Sequence, residues 1–143
     1  MGLFILLELS NVLMLYFTPG TKRGNGMGVF KAWEKSKKDN EIHELMRYLV
    51  FWVAGTKLIF IALIIVIIIL GDWRTQLFAT IALVLSILSF YWKLFPIIKK
   101  MDKNDQIDPR GYSKTLGIMI GTFVLVFMAA IVVYVVFLNP NNI

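Results

Sequence analysis

Cysteine is absent from this chain, which rules out a disulfide framework, a thiolate nucleophile and a thiolate metal site. Histidine occurs once, at His43, between Glu41 and Glu44. In His43-Glu44-Leu45-Met46-Arg47 an arginine stands where a zinc protease helix needs its second histidine, so that hydrolytic centre is missing and a solvated helix face is expected. The run Asp102-Lys103-Asn104-Asp105-Gln106-Ile107-Asp108 lacks the sharp-turn glycine and the terminal bidentate glutamate of a calcium loop. It reads as a hydrophilic turn closed by Pro109. No Ser/His/Asp set is present, and no enzymatic activity, cofactor or metal site is expected.

Basic residues are also missing from the start of the chain, where none precedes Lys22. A secretory signal needs a positive leading region and a small-residue cleavage site, whereas this segment runs into Phe17-Thr18-Pro19-Gly20, so Gly2 to Phe17 is expected to stay in place. N-myristoylation is excluded because Leu6 stands where Ser or Thr is required.

Apolar sequence is what the chain has in excess. At 58% hydrophobic residues it lies above the ~45–50% usual for soluble domains. About 20 helical residues at ~1.5 Å each cross a hydrocarbon core of ~30 Å. Three runs reach that length, at about residues 48–70, 75–95 and 115–138. A fourth, residues 2–17, is shorter and carries Glu8, Ser10 and Asn11; it is taken as spanning. The expected fold is an all-α integral membrane protein, a single membrane domain of four transmembrane helices, or three if residues 2–17 lie in the interface. Tyr48, Phe51, Trp52, Trp73, Tyr91, Trp92 and Phe95 sit near the run ends, as interfacial aromatic anchors do, and Pro96 is expected to end the third helix.

The formal charge of +6 is concentrated between the runs, where lipid headgroups are a nearer partner than nucleic acid. Residues 18–47 carry Lys22, Arg23, Lys31, Lys35, Lys37, Lys38 and Arg47, and residues 96–114 carry Lys99, Lys100, Lys103, Arg110 and Lys114. The turn at residues 71–74 has only Arg74 beside Asp72. Basic residues near span ends stay on the cytoplasmic side, so both basic segments are expected there, in the cell membrane, facing anionic inner-leaflet lipids.

Within the first basic segment, Gly20, Gly24, Gly26 and Gly28 fall inside nine residues. This stretch lacks both the strand of a dinucleotide site and the Gly-Lys-Ser/Thr ending of a P-loop, so a plain flexible loop is expected. From Val29 to Lys38, the residues Val29, Phe30 and Trp33 share a helical face opposite Lys31, Lys35 and Lys38. This pattern predicts a short interfacial amphipathic helix, with Trp33, Lys35 and Lys38 at the lipid headgroups. Residues 40–47 then continue as helix into the second span, with Asp39 or Asn40 as N-cap.

Glu8 and Lys57 are the charges deep inside the runs, and a charge at mid-bilayer costs at least ~2.5–3.5 kcal/mol. Each lies ten positions from its basic boundary, at Thr18 and Arg47, about 15 Å deep. Antiparallel neighbours then place them level, with Asn11 one turn from Glu8 on the same face. The alternatives are an interfacial position for Glu8 and a Lys57 stem that snorkels toward the headgroups. Ala79, Ala82, Ser86 and Ser89 form a small-residue stripe, and Gly117 and Gly121 form a G-x-x-x-G pair; both are expected helix–helix interfaces, within or between chains.

Two functional classes follow from these features. One is a small oligomeric channel or transporter with Glu8, Asn11, Lys57, Ser86 and Ser89 lining an intramembrane polar or ion pathway. The other is a non-catalytic accessory or assembly subunit docking on a larger membrane protein through its small-residue faces. A pore-forming lysis protein is a third class with the same size and basicity. Small drug exporters also carry a glutamate in a short first span, but Leu7-Glu8-Leu9-Ser10-Asn11 and the long basic segment before Tyr48 depart from their pattern.

Overall fold

The computed structural model describes residues 2–137, and these form an all-helical protein. Six α-helices follow in order: α1 (Gly2–Phe17), α2 (Lys31–Ser36), α3 (Asn40–Leu70), α4 (Trp73–Trp92), α5 (Leu94–Lys103) and α6 (Tyr112–Phe137), with a 3-10 turn at Met27–Val29. Three stretches are long and apolar enough to cross a membrane: Asn40–Leu70, the kinked Trp73–Lys103 and Tyr112–Val136. α1 is a shorter apolar helix. Large apolar side chains point outward along all of them, including Leu6, Ile59, Leu70 and Leu125, a surface that suits lipid rather than water.

Local chemistry sets the helix ends. Asp39 caps α3 by accepting a hydrogen bond from the Ile42 amide at 3.3 Å, the expected start. The 31 residues of α3 give it a length of ~46 Å, so its polar first two turns extend beyond a ~30 Å core. Gly71 and Asp72 alone connect α3 to α4, and Asp72 caps α4 through the Thr75 amide at 3.0 Å. Gln76 closes the same corner by donating to the carbonyls of Ile68 and Gly71.

Pro96 does not end the third long helix. The break falls earlier, at Lys93, and helix resumes as α5. Proline cannot donate to the carbonyl four residues back, which is that of Trp92, but it is tolerated in the first turn of a new helix, where amides have no intrahelical partner.

α1 runs beside α3, burying Val12 and Leu15 against Val50, Ala54 and Ile61. α4 packs on α6 through Leu83, Val84, Val124 and Phe127. Phe4 ties the two pairs together, with its ring edge-on to Phe60 of α3 and to Phe123 and Phe127 of α6. A third core, made of Val29, Ile98, Ile107 and Leu116, lies at the end of the bundle that carries both basic segments.

That end is a folded cap. Residues 18–30 and 104–111 meet in an antiparallel bridge between Phe30 and Ile107, with Lys31 donating to the Gln106 carbonyl at 2.9 Å and Asp108 to the Val29 carbonyl at 2.8 Å. The glycine-rich stretch is therefore not a loose loop. A Cβ at Gly28 falls 2.0 Å from the Gly20 carbonyl oxygen and one at Gly26 falls 2.2 Å from that of Thr21, so only glycine lets the chain fold back on itself so closely. Ile107, the apolar residue within the acidic run, is fully buried and turns that run into a docking element.

Candidate functional site: a mostly buried ion pair beside a polar-mouthed cavity

Glu8 and Lys57 meet. Glu8 lies nine residues before the basic end of α1, ~14 Å along the helix, and Lys57 lies on the adjacent α3. The Lys57 ammonium donates to Glu8 Oε2 at 2.5 Å, and both side chains are mostly buried, 27% exposed for Lys57 and 19% for Glu8. Mutual neutralisation offsets the isolated charge that either apolar helix would otherwise carry.

Glu8 also lines a cavity of about 470 Å³. The walls come from α1 and α6, with Ile87 of α4 behind them, and the polar end is formed by Asn11, Lys22, Gly24 and Asn25. Asn11 is thus on the Glu8 side of the helix, but its amide oxygen faces the Gly24 turn, 3.2 Å from where a Cβ at that position would lie. Tyr112 reaches across from the start of α6 and donates to the Gly24 carbonyl at 3.3 Å.

Ser86 and Ser89 do not join this cavity. Both are exposed on α4, where the Ser89 hydroxyl donates to the Ser86 carbonyl at 2.6 Å. Ala79, Ala82 and Ser86 instead border a separate apolar groove of about 200 Å³ against Phe60 and Leu63 of α3. The reason is rotational: the α4 face that packs on α6 carries Leu83 and Val84, which turns the small-residue stripe away from α1.

Gly117 and Gly121 do form a close interface, within the chain. The Tyr91 hydroxyl donates to the Gly117 carbonyl at 2.6 Å, and Phe95 lies against the same glycine, 2.8 Å from an added Cβ. An added Cβ at Gly121 falls 3.1 Å from the Tyr91 hydroxyl.

Trp33 is a correction to the expected lipid contact. It is 3% exposed and packs in the α1–α3 core, edge-on to His43, whose Nδ1 lies 2.8 Å from the Ser36 hydroxyl. The apolar face of α2 turns inward because the protein itself supplies a partner for it, while Lys35 and Lys38 remain exposed. His43 accordingly tethers α2 to the start of α3 rather than standing on a solvated face.

The cap carries a set of ordered charges, of which Lys22 borders this cavity. Lys22 pairs with Asp108 at 2.5 Å, while Asp105 is shared between Lys31 and Arg110, each at 2.8 Å. The Arg110 hydrogen bond, followed by that of Lys31, holds the Asp105 carboxyl down to about 2. Lys22 likewise holds Asp108 below the ordinary carboxylate range. Asp102 is lowered by the Ser113 hydroxyl and accepts also from the Gly111 and Ser113 amides, capping the start of α6. The sequence signal for these roles was the acidic run itself, whose interruption by Ile107 marks one face for burial. Among the described residues no group of three or more His, Cys, Asp or Glu is placed to hold a metal ion.

Compared with protein-family models, with curated proteins and with solved structures, the chain matches none.

Proposed function

We propose that this is a small oligomeric transport protein of the cell membrane, channel-like or transporter-like, in which a polar recess gives one side of the bilayer access to the Glu8–Lys57 pair. The observation that supports this best is the double position of Glu8, ion-paired across to α3 and at the same time lining the cavity whose mouth holds Lys22 and Asn25. A carboxylate within the bilayer that is open to one face is a group on which a proton or a small cation can be exchanged for the lysine partner.

In this reading α1, α3, α4–α5 and α6 are four spans. α1 is ~24 Å long, short of a ~30 Å core by an amount that local bilayer thinning accommodates, and its packing along α3 favours a transmembrane course. The meeting of both basic segments in one cap favours a single cytoplasmic side for them and the opposite side for the chain start. Exposed Lys35 and Lys38 then lie near anionic inner-leaflet headgroups. The exposed Ala82, Ser86 and Ser89 face of α4 supports self-association by close backbone approach. No catalytic chemistry is assigned.

The α4 face also supports a second reading, an accessory subunit that seats a helix of a larger partner in the groove beside Ala79 and Ser86. Proton and ion flux into liposomes separates the two. Wild type, Glu8→Gln and Lys57→Met are compared, with oligomeric state measured on the same samples. Transport predicts flux in wild type that both variants lose while the oligomer persists; no wild-type flux under any of several gradients sinks it in favour of the accessory role.

A further inference from the structure

A second cavity, of about 430 Å³, lies along the same α1–α6 seam and shares Phe4, Met119 and Phe123 with the one beside Glu8. Together the two walls extend along α6 from Tyr112 to Phe127; the stretch beyond the polar mouth, Leu116 to Phe127, is eleven residues or ~16 Å. This is about half of a ~30 Å hydrocarbon core, the depth of one leaflet. The far part is apolar, with Leu3, Phe4 and Val126 on its sides, and the near end holds Lys22 and Asn25.

From this arrangement we infer that the α1–α6 crevice binds one anionic phospholipid of the inner leaflet, an acyl chain lying along α6 and the phosphate against Lys22. A polar, cationic mouth continuous with a leaflet-deep apolar slot matches an amphiphile and does not match a free ion. Lys22 is 61% exposed and uses one contact on Asp108, while an ammonium has three donors, so a phosphate oxygen can be bound beside that carboxylate. Asp108 competes with the headgroup. Glu8, the acid that lines the cavity itself, is answered by Lys57 and adds little repulsion. The site rests on the membrane placement proposed above but not on transport, and binding is read in micelles without flux, so either can fail alone.

The test is native mass spectrometry of the purified full chain in detergent, titrated with phosphatidylglycerol or phosphatidylcholine. The expected result is one phosphatidylglycerol retained per chain, about tenfold in preference to phosphatidylcholine. Lys22→Gln should bring that ratio close to one. Asp108→Asn, which frees Lys22, should raise it, an outcome that a merely loosened cap would not produce. Val126→Trp, at an exposed position at the far end of the slot, should weaken retention of long-chain but not short-chain phosphatidylglycerol. Equal retention of the two headgroups, indifference to both charge variants, or full displacement by inorganic phosphate overturns the proposal; the last outcome would identify a free-anion site.

Discussion

Glu8 on α1 and Lys57 on α3 are 49 residues apart in sequence and 2.5 Å apart in space, a charge contact between two otherwise apolar helix faces. Both are largely removed from bulk water by the same helix pair, and each offsets the charge of the other.

Removing one partner leaves a mostly buried charge alone, and Lys57→Met or Glu8→Gln is expected to destabilise the fold by about 2–3 kcal/mol, below the ~3–5 kcal/mol of fully buried pairs. The double variant Glu8→Gln/Lys57→Met should recover at least half of the loss, because no charge remains. Thermal unfolding of the three variants in micelles checks this; a double variant as unstable as the sum of the singles would show that the pair is not coupled.

The α4–α6 seam depends on a missing side chain. Gly117→Ala forces the Phe95 ring aside, since the new Cβ lies 2.8 Å from it, at an expected cost of about 1–3 kcal/mol. Tyr91→Phe removes only the hydroxyl donated to the Gly117 carbonyl and should cost about 1 kcal/mol. Denaturant titration ranks the two; the reverse order would place the strength of the seam in the hydrogen bond.

In the cap, Gly28→Ala should prevent closure of residues 18–30, because a methyl group there meets the Gly20 carbonyl oxygen at 2.0 Å. Gly111 is the control. Its φ of +84° disfavours a side chain, but nothing lies within 4 Å of an added Cβ, so Gly111→Ala carries only a backbone strain of about 1 kcal/mol. Limited proteolysis should cut the Gly28→Ala cap readily at Arg23 while leaving the Gly111→Ala cap close to wild type.

The docking of the two basic segments should weaken in acid. Asp105 has its folded pKa depressed to about 2 by Arg110 and Lys31, and Asp108 is depressed by Lys22, against an ordinary value near ~3.9. For a depressed carboxyl the stabilisation is fully present above the unfolded pKa and is lost as pH falls through the folded one. Amide exchange at Lys31 and Asp108, corrected for its intrinsic pH dependence, should therefore be protected at pH 6 and lose protection between about pH 4 and 2. Protection that is flat over that window would mean that the bridge and the Ile107 core hold the cap without the charges.

How far the sequence could be read depends on which partner a residue needed. Long apolar runs declare membrane helices because any spanning segment must satisfy its own backbone, and that requirement is local. The start of α3 at Asp39 was legible for the same reason: a cap acts within one turn. Glu8 and Lys57 could be matched in depth by counting from their boundaries, since the helix rise is constant.

Rotation and long-range contact were not legible. Trp33 and Val29 form an apolar face that fits lipid and protein equally well by pattern, and only the neighbouring helices and Ile107 decide that it turns inward. Ser86 and Ser89 share a stripe whose direction is fixed by Leu83 and Val84 packing on α6, a fact about α6 as much as about α4. The glycines at 26 and 28 look like flexibility until the Thr21 and Gly20 carbonyls are brought within about 2 Å of their missing Cβ atoms. By itself, then, the sequence determined an all-α chain with three helices of membrane-spanning length and two charges of opposite sign equally far from their basic boundaries, because these follow from composition and helix rise. The folded cap, the inward tryptophan and the cavity that opens onto Glu8 were decided by tertiary structure alone, because each depends on what a distant segment places against it.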